Sequence, residues 1–145
     1  MPSPQRVQLS IPASAEFISV VRLAVSGVAA RMNFTIEDIE DIKVALSEAC
    51  TNAIQHAYQA DAKGQIEIEF ILHDASLEMI VQDHGKGFNT TENIKAEKSN
   101  SSPEDFGLGL GLVFIQSLMD EAEINSIKGK GTTLKMLKNL STHAA

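Results

Sequence analysis

The chain has 145 residues, 43% of them apolar, and a formal charge of −7, which fits one packed domain with a real core and argues against intrinsic disorder. A net negative chain without clustered Lys and Arg is not expected to bind nucleic acid directly, because displacing counterions from a phosphate backbone needs concentrated positive charge. No run of roughly 18 uncharged apolar residues occurs, and residues 1–10 lack a basic cap followed by an apolar block, so the expected chain has no membrane span or secretory leader and is cytoplasmic.

In chain order, Val7, Leu9 and Ile11 alternate with polar residues and predict a short half-buried strand ended by Pro12. Phe17, Val20, Val21, Ala24 and Val28 recur at helical spacing, predicting an amphipathic helix from Ser14 to about Arg31 that Gly27 weakens slightly. Thr35, three residues before Asp38, has the pattern of an N-terminal cap. Beyond it Ile39, Ile42, Leu46, Ala49 and Ala53 mark one face of a second helix reaching about Tyr58. Cys50, the single cysteine, lies within this pattern and reads as a small buried hydrophobe.

A turn at 60–64 precedes Ile66, Ile68, Phe70 and Leu72, which alternate with Gln65, Glu67 and Glu69; Leu77, Met79 and Val81 alternate again, predicting an antiparallel hairpin that ends at Asp83. Residues 89–105 carry Ser, Asn, Thr, Lys and Glu without apolar period and predict a mobile loop with a short helical stretch; a loop of this length usually serves a function. Gly107, Gly109 and Gly111 then lead into a third helix marked by Leu112, Ile115 and Met119, and 123–127 with 132–137 predict a closing hairpin. Three helices and about five strands joined mostly as hairpins predict an α+β fold. The expected arrangement is a two-layer α/β sandwich, a mixed and mostly antiparallel sheet with the helices on one face.

Four segments can carry chemistry. Glu48 and Asn52 stand four apart on the second helix, ~40° from each other around its axis. That face is roughly opposite the apolar stripe and free to meet a ligand. An amide oxygen suits Mg²⁺ and a carboxylate can take a proton from an attacking hydroxyl, although such pairs also occur on ordinary solvated helix faces. Asp83 closes a strand and begins Asp-x-Gly-x-Gly-Phe with Gly85, Gly87 and Phe88. Its glycines let the backbone approach a flat ligand, and a buried carboxylate can accept from an exocyclic amine; a plain turn after an edge strand reads the same way. Gly107, Gly109 and Gly111 ahead of a helix offer amides to phosphate oxygens, without the Gly-Lys-Ser/Thr of a Walker A loop or the preceding strand of a Rossmann turn. Gly129, Lys130, Gly131 and Thr132 make a tight hairpin turn ending in a hydroxyl.

The succession Glu-x-x-x-Asn, Asp-x-Gly-x-Gly-Phe, polar loop, Gly-x-Gly and Gly-x-Gly-Thr resembles the N, G1, G2 and G3 boxes of the GHKL (Bergerat-fold) ATPases over nearly the whole chain. More narrowly, Ser47-Glu48-Ala49-Cys50-Thr51-Asn52-Ala53-Ile54-Gln55-His56-Ala57-Tyr58, and Gly109-Leu110-Gly111-Leu112 running to Leu118-Met119-Asp120-Glu121, look like the RsbW/SpoIIAB-type anti-sigma-factor serine/threonine kinases. The resemblance implies Asn52 as Mg²⁺ ligand, Glu48 as general base and Asp83 as adenine anchor. It implies Gly85 and Gly87 as backbone against the base, Thr132 as support on the adenine side, and Gly107, Gly109 and Gly111 as a phosphate cradle. Residues 89–106 become an ATP lid. One departure stands out: no Lys or Arg lies between Ser99 and Ile127, where some relatives place a basic residue near the phosphates, which leaves Lys86, Lys95, Lys98 or Lys130 as substitutes.

The implied activity is transfer of the ATP γ-phosphoryl to a Ser or Thr of an anti-anti-sigma partner of the STAS fold by a homodimer that also sequesters a sigma factor. A histidine kinase would need a phosphoacceptor histidine on an upstream helical hairpin, yet the first histidine is His56; a gyrase-type ATPase would need a following transducer domain. The alternatives are a nucleotide-gated binding protein without kinase activity, favoured by the missing lid base, and a signalling ATPase without a protein acceptor.

Overall fold

Period-two alternation builds the sheet, and its register decides which polar side chains meet. The computed structural model describes residues 3–57, 64–85, 103–127 and 129–141. Strands β1 (Gln5–Pro12), β2 (Gln65–Leu72), β3 (Ser76–Asp83), β4 (Glu121–Ile127) and β5 (Gly131–Asn139) form one sheet in the spatial order β1-β2-β3-β5-β4. The sheet, expected as mostly antiparallel, is antiparallel at every described pairing. β3 and β4 run in the same direction, as two strands either side of a helical crossover must, but β5 folds back between them and takes the hydrogen bonds of both.

Helices α1 (Ile18–Arg31), α2 (Ile36–Ala57) and α3 (Pro103–Leu118) complete the layer, with the start of the expected first helix forming a separate 3₁₀ turn, Ala15–Phe17. Asn33 takes a left-handed φ of 67° between α1 and α2, a conformation that asparagine tolerates better than most side chains. Thr35 Oγ1 then accepts the Asp38 N–H at 3.0 Å, the expected cap. The core lies between sheet and helices: Val21 and Val25 of α1, Ile42, Leu46 and Cys50 of α2, Leu112 and Ile115 of α3, and Ile68, Phe70, Met79 and Met136 of the sheet are buried. Burial pushes the Cys50 thiol up to about 12, so it stays protonated and behaves as the hydrophobe its position suggested.

Two sequence expectations need correction. The face of α2 that carries Glu48 and Asn52, expected to stand roughly opposite the apolar stripe and open to a ligand, is packed over at Asn52, which is buried beneath α3. The third helix does not begin after its glycines either. It starts at Pro103, so Gly107, Gly109 and Gly111 lie inside it. Proline is favoured at the first helical position and acidic residues, here Glu104 and Asp105, in the first turn, which moves the helix start upstream of the glycines. Three glycines lower the helical propensity of α3 by about 3 kcal/mol relative to alanine, so the stretch around them is held by little intrinsic preference. The other end of α3 is anchored. Lys138 Nζ donates to the Leu118 carbonyl at 2.7 Å, placing a cation at the negative end of the helix, and the Asn139 N–H donates to Asp120 Oδ2 at 2.7 Å.

Candidate functional site

Helical spacing on α2 brings Glu48 and Asn52 to one side, and α3 packs over them through Gly111. A Cβ at position 111 would lie 2.7 Å from Asn52 Nδ2 and 3.4 Å from Glu48 Oε2, so any larger residue there requires the Asn52 amide to shift. Asn52 is buried, and its Nδ2 has no hydrogen-bond partner among the described residues. A buried amide left unpaired costs about 1–3 kcal/mol, a cost that a ligand hydrogen-bonding to it would remove. Rotating the amide by 180° exchanges its oxygen and nitrogen and presents a hard oxygen at the same place. The residues therefore fit a hydrated divalent cation carried on phosphates, which needs only one or two protein oxygens.

The second half of the site is a row across the sheet. Asp83 on β3 is register partner of Thr132 on β5, and Thr132 is partner of Ser126 on β4. Paired residues of an antiparallel ladder point to the same face, and Asp83 alternates with the buried Leu77, Met79 and Val81, so the row lies on the helix-covered side. Ile66 and Ile11 continue it apolar through β2 and β1. Asp83 Oδ1 accepts the Gly85 N–H at 2.9 Å. Burial pushes the Asp83 carboxyl above the ordinary carboxylate range, against the pull of the Gly85 and Thr132 N–H donors and of nearby His84. His84 itself is exposed, with Nε2 3.6 Å from Glu67 Oε2.

Gly131 closes the wall behind Asp83. Its φ is +112°, and a Cβ there would collide with the Asp83 carbonyl oxygen and lie 2.9 Å from the His84 Cα. Gly131→Ala is accordingly expected to cost about 1–3 kcal/mol in stability, from backbone strain and loss of β3–β5 pairing. A lowered urea midpoint would report it, and an unchanged midpoint would show that the two strands do not abut here.

The histidine kinase-like ATPase domain profile matches residues 11–138 of this sequence. The chain belongs to this ATPase family. Within it, the chain is 40% identical over 139 residues to serine-protein kinase RsbW of Bacillus velezensis, covering 93% of this chain and 86% of that one. The RsbW kinases of Bacillus subtilis and Bacillus mycoides are 38% and 41% identical, covering 93% and 92% of this chain and 86% and 84% of theirs. These relatives place the chain on the RsbW serine-protein kinase branch. Among solved structures, the RsbU and RsbW domains of a Mycobacterium tuberculosis protein match with a TM-score of 0.71 at 25% identity, over 97% of this chain and 34% of that one. The catalytic domain of histidine kinase ThkA matches with a TM-score of 0.57 at 15% identity, over 94% and 97%, a likeness of fold alone.

In this ATPase domain, then, two groups of the expected site residues are assembled: Glu48, Asn52 and Gly111 between α2 and α3, and Asp83, Gly85 and Thr132 at the ends of β3 and β5. Gly107 and Gly109 lie in the first half of α3 rather than in a loop. Gly87 falls outside the described residues, as do Lys86, Lys95, Lys98 and the expected lid up to residue 102, while 103–106 form the first turn of α3. Lys130 is exposed at the last turn. Sequence reasoning missed Ser126, whose hydroxyl lies 2.7 Å from Thr132 Oγ1. A lone serine in a strand has no local signature, and only the β4–β5 register reveals it. Among the described residues no helix is long and apolar enough to cross a membrane.

Proposed function

We propose that this protein is an ATP-dependent serine/threonine kinase that transfers the γ-phosphoryl group to an anti-anti-sigma partner of the STAS fold and sequesters a sigma factor. The single observation that carries this reading is the close packing of α3 at Gly111 over Glu48 and Asn52, which puts a carboxylate and an unpaired amide beneath a glycine-rich helix. In the proposed arrangement Asp83 accepts from the adenine amine and the backbone at Gly85 and Gly87 lies against the base. Thr132 supports the same side, and the amides of Gly107, Gly109 and Gly111 face the phosphates, which requires the first half of α3 to unwind at least in part. Asn52 would hold Mg²⁺, which when bound neutralises phosphate charge.

The partner hydroxyl oxygen forms a bond to the γ-phosphorus as the bond to the bridging oxygen breaks; ADP departs and Glu48 takes the hydroxyl proton. Catalysis on this reading rests mainly on positioning, with Glu48 supplying the general base. Residues 89–106 act as the lid. We further infer a cytoplasmic homodimer: the outer edge of β1 has no strand partner among the described residues, and Val7 on β1 with Val20 and Leu23 on α1 are exposed apolar side chains of the kind an interface covers. A sedimentation mass of one 15.7 kDa chain would remove the dimer.

Incubation with ATP, Mg²⁺ and a STAS-domain partner, read by intact mass, tests the kinase reading. Phosphorylation adds about 80 Da to the partner. A partner that binds in an ATP-dependent way without gaining mass would instead support the nucleotide-gated binding protein, the reading favoured by the absence of Lys and Arg between Ser99 and Ile127.

A further inference from the structure

Ser126 is buried on β4, one strand beyond Thr132 and two beyond Asp83 on the same row. Its Oγ lies 2.7 Å from Thr132 Oγ1 and 3.3 Å from the Gly131 carbonyl oxygen. A carbonyl oxygen can only accept, and each hydroxyl has one proton. Both contacts are hydrogen bonds at once when Ser126 donates to Gly131 and Thr132 donates to Ser126. The Thr132 proton then points away from Asp83, and Thr132 turns a lone pair toward the row.

We propose that Ser126 is a positioning residue for nucleobase selection, holding Thr132 as a hydrogen-bond acceptor beside Asp83 so that the row reads a purine edge bearing an exocyclic amine. This rests on the ATP reading above and deepens it. Two adjacent acceptors welcome the amine of adenine and oppose the 6-oxo group of hypoxanthine, whose oxygen would face oxygens with no proton between them. Discrimination thus comes from a proton's direction, set one strand away from the base.

The test is a titration of the full chain with ATP and with inosine triphosphate, for the wild type, S126A, S126T, T132V and the S126A/T132V double variant. The wild type is expected to prefer ATP. In S126A the Thr132 hydroxyl is freed to rotate and donate to a 6-oxo group, so the ATP-to-ITP preference falls roughly 5- to 20-fold, the worth of one buried hydrogen bond. S126T, which keeps the hydroxyl, retains the preference, and S126A changes nothing further in the T132V background. An unchanged preference in S126A, or an equal loss with and without the Thr132 hydroxyl, would overturn the assignment. S126C, nearly isosteric and a poor hydrogen-bonding partner, carries the same test if S126A does not fold. Absence of ATP binding by the wild type would overturn the ATP reading itself, whereas wild-type binding with an unaltered S126A ratio would overturn only the role of Ser126.

Discussion

Glu48→Gln is expected to bind ATP about as well as the wild type and to transfer phosphate roughly 10²- to 10⁴-fold more slowly, the usual worth of a positioned general base. The substitution keeps the shape of the side chain beside Asn52 and Gly111 and keeps an oxygen that accepts hydrogen bonds, so the packing of α3 on α2 is not disturbed. What it removes is the ability to take up a proton. Loss confined to the transfer step therefore separates proton acceptance from binding, which an alanine variant would not do, since truncation also opens space beneath α3. Labelled-phosphate transfer to the STAS partner, with calorimetric ATP affinity alongside, measures both. Undiminished transfer would remove Glu48 from the mechanism.

Asp83→Asn is expected to move binding and stability in opposite directions. On the binding side, a charge-assisted hydrogen bond to the adenine amine becomes a neutral one facing an amide that can turn its own N–H outward, and ATP affinity falls roughly 10- to 100-fold. On the stability side, burial raises the Asp83 carboxyl above its ordinary range, so the nucleotide-free folded chain holds this proton more tightly than the unfolded chain does. Its stabilising contribution is fully present below the ordinary carboxylate range and is lost as pH rises through the raised value. At neutral pH the ionised, desolvated carboxylate therefore weakens the fold. Asparagine carries no charge at any pH, and its Oδ1 can still accept from Gly85. The variant should melt above the wild type at pH 7, with the difference shrinking as pH drops below the carboxylate range. Thermal melts across pH, paired with ATP titrations, test this, and a variant that lost stability at neutral pH would mark Asp83 as a structural residue.

Local chemistry made much of this fold legible. Alternation from Gln65 through Asp83 defines the β2–β3 hairpin to within a residue, and the Thr35 cap marks the start of α2. Strand order was less accessible, because inserting β5 between β3 and β4 depends on long-range pairing that no short window of residues contains. The candidate site divides along the same line. Glu48, Asn52, Asp83 and Gly85 are visible as spacings within one element or turn. The contact of Gly111 with Asn52, the left-handed φ of Gly131 against Asp83 and the hydroxyl pair Ser126–Thr132 arise only once separate elements are packed. The start of α3 is not legible from its glycines, which read as a loop unless the upstream Pro103, Glu104 and Asp105 are weighed as a helix start.

The central claim is that adenosine triphosphate, with magnesium, binds between the Asp83–Thr132 end of the sheet and the Glu48–Asn52 side of α2. Isothermal titration of the chain with ATP, with and without Mg²⁺, addresses it most directly. The expected result is saturable heat at one nucleotide per chain that strengthens with Mg²⁺ and weakens in Asp83→Asn and Asn52→Ala. No heat with ATP or ADP in the presence of Mg²⁺, or binding indifferent to both substitutions, would contradict it.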